Sequence, residues 1–243
     1  MEPDEYRKMA EVEDAMWYYR ALHRHVGRSL ARAVAAREAA VLDAGCGTGG
    51  LLRRLHAAYP AWRLTGLDFS PLACALARER TGGDVREGSV TALPFPDATF
   101  DAIVSCDVVC QVEDPAQAVR EFHRCLKPGG AVVLTMPAYA WLFSYHDRAV
   151  GNLRRYTRGG VADLLRGAGF RVETGTYWNL LPLPLAIVRR KLTPPASEVS
   201  DVRLYPAPVE AMFNGLMAVE HGWLGAGGRL PAGSSVLTVG RKT

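Results

Sequence analysis

Between residues 40 and 137 the sequence alternates short apolar segments with longer amphipathic ones, and this alternation constrains the fold more than any other feature. AAVLDA (39–44) precedes the helix-like GLLRRLHAAY (50–59), and WRLTGLD (62–68) precedes PLACALARERT (71–81). Strands that alternate with helices in this way are typical of a parallel, doubly wound sheet. The sequence therefore predicts an α/β fold.

Further strand-like segments extend the pattern to about seven strands: DVREGS (84–89), FDAIVSCD (100–107), AVVLTMP (131–137), GFRVETGTYW (169–178) and SSVLTVGRK (234–242). A helix is predicted over 115–130, where glycines end it. The final strand follows a long insertion, so we expect it at the edge of the sheet, antiparallel to the rest. The prediction is a Rossmann-like doubly wound sheet with an N-terminal helical cap and a helical insertion before the last strand.

Charge and cysteine content exclude several classes of protein. The formal net charge of +4 gives weak attraction to anions and no basic stripe of the kind that nucleic-acid binders carry. The cysteines form no C-x-x-C pair, so we expect reduced, buried thiols and no metal site: Cys46, Cys74, Cys106, Cys110 and Cys125. The polar, acidic first residues do not resemble a signal peptide, and no apolar run is long enough to span a bilayer. We expect a cytoplasmic protein.

The stretch VLDAGCGTGG (41–50) predicts a turn that holds a nucleotide cofactor. Gly45, Gly47 and Gly50 satisfy the dinucleotide pattern G-x-G-x-x-G, whereas Gly45, Gly47 and Gly49 satisfy the G-x-G-x-G pattern of S-adenosylmethionine enzymes. In both patterns glycine lets the backbone approach the ligand. The turn alone leaves both cofactors open.

Two acidic residues near this turn favour one of the cofactors. Asp68 ends the second predicted strand, where a carboxylate can accept both ribose hydroxyls of any adenosine ligand. Asp43 precedes Gly45 by two residues and would repel a pyrophosphate. A carboxylate there suits a ligand with an ammonium group and a sulfonium, which S-adenosylmethionine is.

The wider pattern resembles the class I S-adenosylmethionine-dependent methyltransferases over about residues 40–178. The segments that carry the resemblance are VLDAGCGTGG, TGLDFS, EGSVTALPFPDATFDAIVSCDVVCQVED and REFHRCLKPGGAVVLTMP. The resemblance implies an enzyme whose cofactor is S-adenosylmethionine. It divides the single predicted domain into a cap (1–39), a cofactor-binding core (40–178), an insertion or lid (179–233) and a final strand (234–243).

The resemblance also implies which residues contact the cofactor. They are Asp43, Gly45, Cys46, Gly47 and Gly49 around the methionine moiety, Asp68, Phe69 and Ser70 beside the ribose, Gly88, Ser89 and Val90 beside the adenine, and Cys106, Asp107 and Val108 where the methyl donor meets the substrate. Many relatives have Asp in place of Ser89, and a serine hydroxyl makes a weaker bond to the adenine amino group. For Cys106, packing as a small buried residue is the alternative to any chemical role.

The loop after the fifth strand, AYAWLFSYHDRAVGNLRRYT (138–157), is predicted to contact the substrate. A subgroup of the family has a similar loop and a similar leading segment, here MWYYRA (16–21). His146 is the candidate general base, with Asp147 to orient its imidazole. The alternative is a loop histidine that faces solvent or bonds the backbone. The subgroup often has His where this chain has Asn152, so no role is carried over to that position.

The other candidate substrate contacts are cationic or aromatic. Arg154 and Arg155 could clamp a carboxylate or phosphate, or one could pair with Asp147 while the other is solvated. The remaining candidates could wall an aromatic pocket, although core packing explains each singly: Tyr18, Tyr19, Arg20, Trp141, Tyr145, Tyr156 and Trp178.

The predicted function is methyl transfer to oxygen or nitrogen of a small organic molecule in specialised metabolism. One alternative is a membrane lipid or lipid-linked sugar as substrate, since LLPLPLAIVRRK (180–191) has an apolar body and a basic end that could touch a membrane edge. The segment could equally cover a hydrophobic substrate, be a packed lid or form a dimer contact, and its prolines at 182 and 184 disfavour a regular interfacial helix over its first half. Two others are a nicotinamide-dependent dehydrogenase and a protein that binds the cofactor without methylating. Nucleic acid is disfavoured as a substrate because SCDVVC (105–110) stands where an N-P-P-Y-like run would be expected.

Overall fold

The computed structural model describes residues 2–34, 36–193, 195 and 200–243. Within these ranges the strands form one seven-stranded sheet in the order β3-β2-β1-β4-β5-β7-β6. The strands are β1 (Ala40–Ala44), β2 (Arg63–Asp68), β3 (Asp84–Glu87), β4 (Phe100–Cys106), β5 (Leu126–Pro137), β6 (Phe170–Trp178) and β7 (Ser235–Lys242). The predicted Rossmann-like sheet is confirmed.

Strands β1 to β5 are parallel, so their carboxyl ends lie at one edge of the sheet. Strand β7 is antiparallel to both of its neighbours, as predicted, but it lies between β5 and β6 and not at the edge. Residues 235–240 of β7 are all buried, as a strand covered on both faces requires, whereas β6 has exposed positions along its length. The edge prediction was wrong because chain order does not fix strand order.

Helices cover both faces of the sheet. They are α1 (Pro3–Val12), α2 (Trp17–Ala33), α3 (Gly50–Ala58), α4 (Pro71–Thr81), α5 (Pro115–Cys125), α6 (Tyr145–Ala149), α7 (Arg158–Gly167), α8 (Leu183–Ile187) and α9 (Ala207–Gly225). Successive side chains of a strand point to opposite faces. Accordingly Ile103 and Leu134 pack with residues of α5 and α7, while Val104 and Val133 pack with residues of α2, α3 and α9.

Helix α5 ends at Cys125, five residues earlier than predicted. The LKPGG segment belongs to β5, in which Leu126 is extended and pairs with Phe100. Lys127 donates to both carboxylate oxygens of Asp101 on β4, at 2.8 and 2.9 Å. The glycines therefore shape an irregular strand start and do not terminate the helix.

The N-terminal helices and the 179–233 segment pack against each other on one face of the sheet. The rings of Trp17 on α2 and Phe213 on α9 stack with centroids 4.6 Å apart. Glu220 on α9 accepts hydrogen bonds from the backbone N–H groups of Asn179 and Leu181, each at 2.7 Å. Parts of the cap and of the insertion lie outside the described residues, and the division of the chain stays a prediction. None of the described helices combines the length and apolar composition that a membrane span needs.

Candidate active site

The turn after β1 uses the glycine pattern that matches S-adenosylmethionine enzymes. Gly45, Gly47 and Gly49 have φ angles of 89°, 52° and 83°, a region that favours glycine, while Gly50 already belongs to α3. A Cβ on Gly45 would stand 2.2 Å from the nearer methyl of Val108, in the loop after β4. The glycines therefore permit both the turn and the close approach of that loop.

Asp68 holds the turn from the end of β2. Its carboxylate accepts hydrogen bonds from the backbone N–H groups of Gly47 (2.9 Å) and Ser70 (3.0 Å), and from the hydroxyl of Tyr6 (3.2 Å). Burial raises the pKa of Asp68, and these hydrogen bonds oppose the shift. Tyr6 comes from α1, which no sequence motif connected with the cofactor.

Asp43 is a buried carboxylate without a hydrogen-bond partner among the described residues. Burial, together with the nearby charges of Glu13 and Asp68, raises its pKa to about 8. A cationic ligand would relieve this cost, because an opposite charge favours the ionised form. The site therefore fits the ammonium and sulfonium of S-adenosylmethionine better than a pyrophosphate.

Glu13 is a further acid that sequence reasoning missed. It reaches the start of α3 from the end of α1, and its carboxylate accepts from the hydroxyl of Thr48 (2.5 Å) and from Arg80 (2.6 Å). Its partners lie 35 and 67 residues away along the chain, so no local pattern could have indicated the contact.

One cavity of about 510 Å³ joins the glycine turn to the helical side of the molecule. Of the predicted cofactor residues, its wall contains Asp43, Gly45, Cys46, Gly47, Asp68, Cys106, Asp107 and Val108. The cavity volume lies in the usual range of small-molecule sites. The residues predicted for the methionine end of the cofactor, apart from Gly49, are thus brought together.

The residues predicted to lie beside the adenine do not line the cavity, and neither do Phe69 and Ser70, which were predicted beside the ribose. Phe69 is 60% exposed, and the Ser70 side chain accepts from the N–H of Ala73 at the start of α4. Gly88 donates its N–H to the carbonyl of Asp68 at 2.9 Å. The Ser89 hydroxyl lies 2.7 Å from that of Thr91. Gly49 and the buried Val90 are also absent from the wall, and the adenine contacts stay predictions.

Asp107 lies at the end of β4 in a strained conformation, with φ of 57°. Its carboxylate accepts from the hydroxyl of Tyr18 (2.9 Å) and from that of Thr135 (3.1 Å). Burial raises the pKa of Asp107, and these two bonds oppose the rise. Burial also raises the pKa of the neighbouring Cys106, which is therefore a neutral thiol.

His146 lines the cavity, but Asp147 is not its partner. The Nδ1 atom of His146 accepts the backbone N–H of Asp201 at 3.1 Å. In the neutral ring Nε2 then carries the proton and is a donor. Desolvation, and then the charge of Arg190, lowers the pKa of the imidazole. The predicted pairing of His146 with Asp147 is therefore wrong, because a backbone N–H group holds the imidazole instead.

Asp147 instead stabilises the loop that carries His146. It caps α6 by accepting from the N–H of Ser144 at 2.9 Å, and it also accepts from Asn152 (3.0 Å) and from Nε of Arg155 (2.8 Å). Burial would raise the pKa of Asp147, but Arg155 holds it below the usual range. Both partners of this ion pair are almost fully buried. Arg155 lines the cavity, but its guanidinium already donates to Asp147 and to the carbonyl of Ala138.

Several predicted substrate contacts do not reach the cavity wall. Arg154 donates to the carbonyl oxygens of Val112 and Glu113. Tyr145 donates its hydroxyl to Asp201 at 2.9 Å. The others outside the wall are Arg20, Trp141, Tyr156 and Trp178, of which Arg20 and Trp141 are exposed and Trp178 is fully buried.

The aromatic wall is formed by other residues as well. Tyr18 and Tyr19 line the cavity as predicted, and the ring of Tyr18 stacks on the buried Trp178, with centroids 5.3 Å apart. Trp17 and Phe213 join them. The MWYYRA segment predicted that aromatic residues of α2 line the cavity. The contact between Trp17 and Phe213 could be seen only once α9 was placed.

A glycine turn, an acid at the end of the next strand and a doubly wound sheet define a protein that binds an adenosine cofactor. A family model described as "Methyltransferase domain" matches residues 42–134. A Mycolicibacterium smegmatis protein described as "Probable S-adenosylmethionine-dependent methyltransferase" is 34% identical over 165 residues, which are 67% of this chain and 62% of that protein. The chain belongs to the class I S-adenosylmethionine-dependent methyltransferase family. The family sets aside the nicotinamide alternative.

Other similar proteins differ in what they methylate. A demethylmenaquinone methyltransferase of Chlorobaculum parvum is 38% identical over 102 residues, 42% of each chain. The matched segments thus cover less than two thirds of these curated relatives. A Haloferax volcanii methyltransferase solved with the Trm112 activator has a TM-score of 0.65 at 22% identity, covering 98% of this chain and 95% of that one. Geranyl diphosphate C-methyltransferase of Streptomyces coelicolor has a TM-score of 0.65 at 17% identity, covering 92% and 79%. The two structures share the fold.

Proposed function

We propose that this chain transfers a methyl group from S-adenosylmethionine to an oxygen or nitrogen atom of a small, mostly apolar molecule of specialised metabolism. The observation that carries the proposal is a cavity whose wall contains both the acids of the glycine turn and several aromatic rings. Asp43 and Asp68 line this cavity, and so do the rings of Trp17, Tyr19 and Phe213. A small molecule held by the aromatic rings would therefore lie beside the cofactor.

The residues at the glycine turn fit the cofactor by charge and by shape. Asp43 would hold the ammonium group, Asp68 the ribose, and the backbone at Gly45 and Gly47 would approach the ligand closely. When bound, the cofactor supplies an electrophilic methyl group on a sulfonium, which is already an excellent leaving group. The protein then contributes mainly alignment, which can supply about 7–11 kcal/mol.

Asp107 is the proton acceptor that the geometry favours. It lies on the cavity wall at the end of β4, and the hydroxyls of Tyr18 and Thr135 fix its carboxylate. The carboxylate could take the proton of an acceptor hydroxyl or ammonium group. His146 would have a different role from the predicted one, because its Nε2–H could donate a hydrogen bond that orients an acceptor oxygen.

A ring carbon as methyl acceptor is the second candidate. Two observations favour it. Part of the chain is similar in sequence to demethylmenaquinone methyltransferases, and the apolar side chains of Met16 and Leu22 line the cavity. An acidic ring hydroxyl close to Asp107 would raise the electron density of the ring when it loses its proton. This candidate shares the apolar acceptor with the first and differs in the bond formed.

The test uses ¹³C-methyl and tritium-methyl forms of S-adenosylmethionine. The protein is incubated with an organic-solvent extract and with an aqueous extract of the cells that encode it, and label is counted in each. We expect protein-dependent label in the organic extract, and carbon NMR of the product shows whether oxygen, nitrogen or carbon carries the methyl group. An Asp68→Ala variant serves as the control for cofactor-dependent label.

Two results would overturn the proposal. Label confined to the aqueous extract would show that the acceptor is not apolar. Absence of label from both extracts, while calorimetry still shows binding of S-adenosylhomocysteine, would support a protein that keeps the cofactor without methylating.

A further inference from the structure

The exposed face of α9 carries only apolar residues and glycines, although the helix faces solvent. Its larger members are Pro208, Ala211, Met212, Ala218, Val219 and Trp223, which recur every three or four residues. Val219 is 67% exposed and Trp223 is 57% exposed. A solvent-facing helix ordinarily carries polar side chains there, and a continuous apolar surface of this kind marks an interaction site. We call this face the apolar band.

The two acids of α9 do not interrupt the apolar band, because both face the protein. Glu210 accepts the backbone N–H of Trp17 at 2.8 Å, and Glu220 accepts that of Asn179 at 2.7 Å. Charge therefore lies beside the band and not on it.

A row of arginines on α2 runs alongside the apolar band. Arg20, Arg24, Arg28 and Arg32 are spaced by four residues, so they lie on one side of the helix, and all are exposed. Arg28 donates to the carbonyl of His221 on α9 at 2.9 Å, and Arg32 donates to that of Gly225. Across the part of the chain that the structure covers, none of the four has a carboxylate partner. No described carboxylate neutralises their positive charge.

We propose that the apolar band and the arginine row form a docking surface for an anionic lipid bilayer. Apolar side chains flanked by arginines that have no carboxylate partner are the pattern by which helices lie in a membrane interface. Trp223, near the end of the band, is of the residue type enriched at the level of lipid headgroups. A second copy of the chain fits less well, because a two-fold contact through this surface would bring two uncompensated arginine rows together.

The docking surface lies on the same helices that wall the cavity. Trp17 at the start of α2 and Phe213 near the start of α9 both line it. Leu185 and Val188, from α8 and the turn that follows, also line the cavity and are 52% and 43% exposed, so an opening lies beside them. The surface itself does not depend on which acceptor the enzyme methylates.

The test measures binding to vesicles of phosphatidylcholine alone and to vesicles of equal parts phosphatidylcholine and phosphatidylglycerol. We expect the full chain to sediment with the anionic vesicles only, and to be released by added salt. Arg24→Glu changes the charge by two units and should weaken binding about 5–30-fold. Val219→Glu should weaken it at least about tenfold, and Val219→Ala much less.

The matched control is Arg166→Glu, which makes the same charge change on α7, away from the docking surface. It should bind anionic vesicles like the wild type. Calorimetry with S-adenosylhomocysteine shows that each variant is folded, and it separates this proposal from the proposed function, since vesicle binding could fail while cofactor binding persists. Failure to bind anionic vesicles would overturn the proposal, as would equal loss in Arg166→Glu. A concentration-dependent dimer that Val219→Glu dissociates, without vesicle binding, would assign the surface to a second copy instead.

Discussion

The cofactor half and the substrate half of the site are built in different ways. The predicted cofactor half consists of the ends of β1, β2 and β4 with their loops, and the predicted substrate half consists of α2 and the described residues between 138 and 233. In the first, Asp68 meets the backbone of Gly47 because both follow neighbouring parallel strands. In the second, His146 meets the backbone of Asp201, 55 residues away, through a contact that no strand register imposes.

The difference shows what a motif can and cannot specify. At a sheet edge the register places successive strand ends side by side, so residue type and spacing are enough to assemble the acids and the glycines. On the helical side, the packing of whole helices selects the partners. Three experiments can sharpen or break this comparison.

The largest effect is expected for Asp68→Ala in the cofactor half. If the carboxylate accepts two hydrogen bonds from the ribose, each about 1.5–3 kcal/mol, affinity for S-adenosylhomocysteine should fall about 10²–10⁴-fold. Ser89→Ala removes one neutral hydrogen bond at most and should cost about tenfold or less. Calorimetry on both variants measures the two losses, and thermal melting verifies that each is folded. Losses of the same size would show that the ribose is bound elsewhere.

A smaller effect is expected from the pH dependence of cofactor binding. Asp43 has a pKa of about 8 in the free protein and must be ionised to pair with an ammonium group, so binding releases its proton. Affinity for S-adenosylhomocysteine should therefore rise with pH between about 6 and 7.5, by up to about tenfold per unit. Calorimetry in buffers of different ionisation enthalpy counts the proton released.

The Asp43→Asn variant is the control for this pH dependence. The amide cannot ionise, so the variant should bind more weakly and with affinity that is nearly flat over the same range. A wild type whose affinity is flat or falls with rising pH would remove Asp43 from the ammonium site.

The smallest effect is expected for His146 in the substrate half. Because its pKa is lowered and Nδ1 is an acceptor, the ring should stay neutral with the proton on Nε2 from about pH 5 to 8. Nitrogen NMR of labelled histidine reads both the tautomer and the titration. Loss of one donor in His146→Ala should lower turnover by about tenfold or less. A loss of about 10²–10⁴-fold, with a titration near neutral pH, would restore the role of general base.

The sequence predicted most of the fold and part of the cofactor half. The alternation of strands and helices gave the parallel sheet, and the turn at Gly45, Gly47 and Gly49 has the expected positive φ angles. The position of β7 and the end of α5 could not be predicted, since both depend on which neighbour pairs with the chain at that point. The aromatic segment of α2 predicted an aromatic wall for the cavity. Trp178, which was also predicted to line it, instead packs behind the ring of Tyr18.

By itself the sequence determined the features that depend on residues close together in the chain. These are the glycines where the backbone turns, the acids at strand ends, and the apolar residues that recur with the period of each helix or strand. Only the tertiary structure decided the contacts between distant segments. Tyr6 reaches Asp68 across 62 residues, and the arginines of α2 lie beside the apolar band of α9 across 193. The physical reason is that helices pack through side-chain shape, which many sequences satisfy. Parallel strands instead pair through backbone hydrogen bonds, whose register brings their ends to one edge.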